Sequence, residues 1–86
     1  MFTGEETKVR LRFSDELVDT VIDRFGTEPV LVPDGEGSFT VMLDIVVSRQ
    51  FFAWMSAFGT KAEILSPESV RRSFSEHLRA ISSIYD

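Results

Sequence analysis

Eighty-six residues, 43% of them hydrophobic and 27% charged, suit one globular domain and leave no room for two. The absence of cysteine excludes a disulfide framework and any thiolate metal site, and no apolar run reaches the roughly 18 residues of a membrane-spanning helix. A net charge of −5, from nine basic against fourteen acidic side chains, disfavours a general nucleic-acid binder, whose affinity rests on neutralising phosphates.

Met1 to Glu6 reads as a frayed lead-in, acidic and without a signal-peptide pattern. The strict alternation of Thr7 to Phe13 predicts a half-buried strand. Val9, Leu11 and Phe13 face one way, and Lys8, Arg10 and Arg12 the other. Ser14 is placed to cap a helix with Asp15 and Glu16 in its first turn, where the helix dipole favours anions. Leu17, Val18, Val21, Ile22 and Phe25 then share one helical face, and Gly26 ends it.

Glu28 to Val32 predicts a short strand, and Pro33-Asp34-Gly35-Glu36-Gly37 is turn chemistry. Ser38 to Val47 alternates again, with Phe39, Val41, Leu43 and Ile45 on one face, so the two runs form a hairpin. Ser48 caps a short helix on which Phe51, Trp54, Met55 and Phe58 share a face, closed by Gly59. Phe52 lies off that face and is expected to be exposed at an interface. Lys61 to Leu65 is a last short strand. Ser66 as cap and Pro67 at the first helical position open a long helix striped by Val70, Phe74, Leu78, Ile81 and Tyr85.

Strand, helix, strand, strand, helix, strand matches βαββαβ, a ferredoxin-like α+β fold with an antiparallel sheet, here followed by an extra C-terminal helix. Both inner helices cover one face of such a sheet and leave the other open.

These motifs, in this order, resemble one family. Val9–Ser14, Arg24–Gly26, Asp34–Gly35, Trp54–Gly59, Ala62–Leu65 and the stretch from Pro67 to Tyr85 look like the C-terminal extension, or WCX domain, of bacterial WYL-domain transcriptional regulators. The resemblance implies a larger cytoplasmic parent in which residues 1–86 are an excised C-terminal domain. A winged helix-turn-helix that binds DNA and a WYL domain taken as a ligand sensor would precede it. It further implies a homodimeric parent, a nucleic-acid or nucleotide-like effector, no cofactor, no membrane partner and no catalysis. The only tryptophan, Trp54, is followed by Met55, so the Trp-Tyr-Leu signature itself is not in this chain.

Three groups of residues are candidates for function. Lys8, Arg10 and Arg12 stand about 7 Å apart on one strand face, where three cations suit phosphates, a nucleic-acid ligand or an acidic patch. The plainer alternative is a solvated face with cross-strand pairs to Asp44. Phe52, Val70, Phe74, Leu78, Ile81 and Tyr85 form a candidate interface, with the last helix packed at the domain edge and part of its stripe in a subunit contact. Arg71, Arg72 and Arg79 follow on the same helix, and Glu68 four residues before Arg72 points to a helix-surface ion pair.

His77 has no second ligand at metal-binding spacing, and no nucleophile with a base partner stands out. Gly35-Glu36-Gly37 opens no helix, so it is a poor phosphate cradle. A free-standing ferredoxin-like domain that binds a small metabolite at a subunit interface is the alternative function. An enzyme on the same sheet ranks last for want of an acid–base pair.

Overall fold

The structure, a computed structural model, describes residues 6–86. The lead-in expected at Met1 to Glu6 therefore lies outside the described residues, except for Glu6, which opens the first strand. In chain order the elements are β1 (Glu6–Ser14), α1 (Val18–Phe25), β2 (Leu31–Pro33), β3 (Ser38–Val46), α2 (Arg49–Ser56), β4 (Ala62–Ser66) and α3 (Glu68–Tyr85). The four strands form one sheet in the order β2-β3-β1-β4, antiparallel at every pairing. This is the expected ferredoxin-like arrangement with an added C-terminal helix.

The period-2 pattern of β1 determines which face is buried. Val9, Leu11 and Phe13 are fully buried, and Val41, Leu43 and Ile45 of β3 join them on the helix side. Val21 of α1, and Phe51, Phe52 and Met55 of α2, close over that face. Phe13 is the hub of the aromatic packing. Its ring stacks on Phe39 at 5.7 Å and meets the edges of Trp54 at 5.9 Å and Phe58 at 6.2 Å. Trp54 in turn stands edge-on to Phe25 at 5.3 Å, which ties α1 to α2. Aromatic pairs of this kind add about 0.5–1.5 kcal/mol each beyond simple burial.

Several boundaries differ from the sequence expectation. Ser14 makes no cap. Its hydroxyl reaches Glu16, and a 3-10 turn over Asp15–Leu17 precedes α1. Gly26 does end α1, its N–H donating to the Ile22 carbonyl at 2.7 Å. It sits at φ 81, ψ −171, a region open to glycine almost alone. Only Leu31–Pro33 pairs with β3, so the second strand starts later than Glu28. Ser48 caps α2 as expected, accepting from Phe51 N–H at 3.2 Å. Ser66 instead belongs to β4, where it lies opposite Arg10, and Pro67 takes the cap position with extended backbone. The Pro67 carbonyl accepts from Val70 and Arg71 N–H, both at 3.1 Å, and Glu68 becomes the first helical residue.

Phe52 corrects a second expectation. It is 4% exposed, not on the surface. The reason is α3, whose Phe74 ring packs 5.3 Å from it and whose His77 ring packs 5.2 Å from it. A stripe judged on α2 alone misses a neighbour supplied by a later helix.

Because Phe13 joins β1, β3 and α2, Phe13→Ala is expected to cost about 3–5 kcal/mol in urea unfolding, the range for a large buried aromatic. A loss below about 1 kcal/mol would mean that the cluster collapses around the gap.

Candidate functional site

Lys8, Arg10 and Arg12 do share the open face of the sheet, as the alternation of β1 requires. Their neighbours on β3 are set by register: Lys8 lies opposite Asp44, Arg10 opposite Met42 and Arg12 opposite Thr40. On the other side Arg12 lies opposite Glu63 of β4. These different neighbours give the three cations different roles.

Arg12 is occupied within the domain. Its guanidinium donates to the Glu63 carboxylate and also lies 3.7 Å from Asp34 in the β2–β3 turn. Glu63 has a second partner, Arg71 of α3, whose Nη1 donates to it at 2.9 Å and to the Ile64 carbonyl at 2.8 Å. Arg71 Nε also stands 3.8 Å from Glu68. A chain of charges thus runs from the hairpin turn, across the open face, to the start of α3. The hydrogen bond from Arg71 holds the Glu63 carboxyl below the ordinary glutamate range. The charge of Arg12 adds to this, and partial burial opposes it.

Lys8 and Arg10 are different. Among the described residues neither has an ion-pair partner, and although Lys8 lies opposite Asp44 the alternative of cross-strand pairs to Asp44 is not formed. Arg10 borders exposed apolar surface, because Met42 beside it is 52% exposed and Val32 two strands away is 49% exposed. The face is therefore two free cations next to an apolar strip, with the third cation neutralised.

The candidate interface divides along α3. Val70 is buried and Phe74 packs on the core. Leu78 and Ile81 are 40% and 45% exposed, and Tyr85, with Ile84 beside it, is almost fully open. The expected Glu68–Arg72 pair is replaced by Glu68–Arg71, one residue closer, because Arg71 is drawn to Glu63 and the β4 backbone.

The sequence reading did not single out Glu63 or Asp34. Their role depends on β4 lying beside β1 and on the hairpin turn reaching Arg12, and neither placement leaves a local pattern. The one available signal was the odd position of Glu63 in the otherwise apolar run Ala62–Leu65.

The WCX domain family matches residues 5–82, nearly the whole chain, and the chain belongs to that family. WCX domains are associated with WYL-type transcription regulators, so the class is a regulatory-associated domain of a larger polypeptide. No curated protein matches the chain. Among the described residues no helix is long and apolar enough to cross a membrane.

The depressed carboxyl of Glu63 adds stability at pH values above its ordinary titration near 4.5 and adds none once the pH has fallen through the folded-state value. Glu63→Gln is therefore expected to unfold at lower urea than the parent at neutral pH, with the gap closing in acid. The Glu16 carboxyl, lowered by Lys61, titrates in the same direction but is common to both proteins and cancels in the difference. A gap that stays constant with pH would show that Glu63 acts through packing alone.

Proposed function

We propose that the domain is the non-catalytic assembly and sensing module at the C-terminal end of a WYL-type transcription regulator. Its partners are the winged helix-turn-helix and WYL domains of the same polypeptide and a second copy of the regulator. DNA is contacted by the N-terminal domain. The setting is the cytoplasm, and no cofactor is required.

The observation that carries this reading is the outer half of α3. Along this half the cover thins, with Leu78 and Ile81 about half-exposed and Ile84 and Tyr85 largely open. An apolar stripe of this kind marks an interaction surface on a helix whose inner half is already anchored. Lys8 and Arg10 supply the sensing part, as free cations on a face that can meet an anionic, nucleotide-like effector. Effector contact on the sheet and helix contact between subunits then bear on one rigid domain, so that one biases the other and alters the spacing of the two winged helices.

Sedimentation of the chain over a range of concentrations tests the assembly reading. Self-association is expected, weakened about tenfold or more by Ile81→Glu with Ile84→Glu, at unchanged thermal stability. A strict monomer in both the chain and the full regulator would sink it.

A further inference from the structure

On the open face of the sheet, register and alternation build a cleft. Thr40 and Met42 of β3 form its floor, with Arg10 of β1 beside Met42 and Val32 of β2 beside Thr40. The Leu31–Val41 pairing sets Val30 alongside Met42, so the chain entering β2 forms the outer wall. The cleft enclosed by these residues measures about 480 Å³, and Glu28 also lines it. Small-molecule sites usually measure roughly 300–1,000 Å³ and are mostly apolar, with a few convergent polar groups.

Polar groups converge on this apolar lining. Arg10 has no ion-pair partner among the described residues. Thr40 is 3% exposed, yet its hydroxyl has no hydrogen-bond partner among the described residues. It is not sealed off either, because no fully buried side-chain polar atom among those residues is left unpartnered. A nearly buried donor in that state gains from any acceptor that reaches it. Val30, Val32 and Met42 supply exposed apolar surface around these two groups. Glu28 adds a carboxylate to the lining, and the chain carries a net charge of −5, so a ligand with several negative charges is disfavoured. Lys8 does not line the cleft.

We propose that this cleft binds a small monocarboxylate with an apolar tail, of the class of aliphatic acids. The carboxylate accepts from the Arg10 guanidinium and from the Thr40 hydroxyl, in charge-assisted hydrogen bonds. The tail covers Met42, Val30 and Val32 and takes their surface out of water. Glu28 sets the limit of one negative charge by repulsion. The site shares Arg10 with the sensing reading above, but it rests neither on nucleotide chemistry nor on subunit contact.

The test is an NMR titration of the 86-residue chain with butyrate, hexanoate and octanoate, with hexanol as the uncharged counterpart and adenosine monophosphate as a nucleotide probe. The acids are expected to give saturable shifts at Arg10, Val32, Thr40 and Met42, with affinity rising up to about fourfold for each CH₂ buried. Hexanol binds about tenfold or more weakly than hexanoate, and Arg10→Gln brings hexanoate down to the level of hexanol. Thr40→Val, which keeps the shape, weakens hexanoate about threefold or more, and Lys8→Gln leaves it unchanged. The proposal is overturned if no acid gives saturable shifts, if hexanol matches hexanoate, or if Arg10→Gln and Thr40→Val both leave the affinity unchanged. Shifts at Lys8 and Arg10 with the nucleotide alone overturn it and leave the sensing reading standing. Shifts with the acids alone support it and count against a nucleotide-like effector.

Discussion

The central position of β1 is the constraint on which the rest depends. It pairs with β3 along its whole length and with β4 over Arg10–Phe13, so it has no free edge at its C-terminal half. Its side chains alternate between a fully buried row and a charged row. A slip of one residue would place three cations under the helices and three large apolar groups in water. That penalty fixes the register of β1, and through β1 that of both neighbours. Phe13 at the end of the buried row then gathers Phe39, Trp54 and Phe58 around one ring, which sets where α2 lies.

The same register decides the electrostatics of the open face. Glu63 faces Arg12 because β4 lies where it does, and Arg71 meets the same carboxylate because α3 starts directly after β4. Two guanidinium groups around one half-exposed carboxylate gain little as isolated surface pairs. Their larger effect is geometric, since the network ties the hairpin turn, β1, β4 and the base of α3 together at one end of the sheet. Among the described residues the opposite end of β1 has no such network, and Lys8 and Arg10 have no ion-pair partner there. A stripe that looks uniform in sequence is thus divided by what the flanking strands bring to it.

The strands, the inner helices and their order were legible because period-2 and helical stripes survive in single segments, as in Val9–Phe13 and Val18–Phe25. What the sequence could not display was contact between segments far apart in the chain. Phe52 reads as an outlier on α2 until Phe74 and His77 arrive from α3. Ser14 and Ser66 have the right chemistry for caps, but each is held in a strand whose pairing wins over a local hydrogen bond. Residues Glu28 to Val30 look like strand, and only the register shows that β2 begins at Leu31.

The outer turns of α3 follow from how helices grow. The first turns are nucleated by packing, with Val70 in the core, Phe74 on Phe52 and Arg71 on Glu63 and the Ile64 carbonyl. Once that nucleus exists, each further residue adds one hydrogen bond at the cost of fixing one residue, which is close to neutral. The helix can therefore run on to Tyr85 although its last residues, Ile84 and Tyr85, have little tertiary cover. The result is an apolar face presented on an ordered helix, which a disordered tail would have to pay ordering entropy to form. The charge network at its base fixes the direction in which that face points.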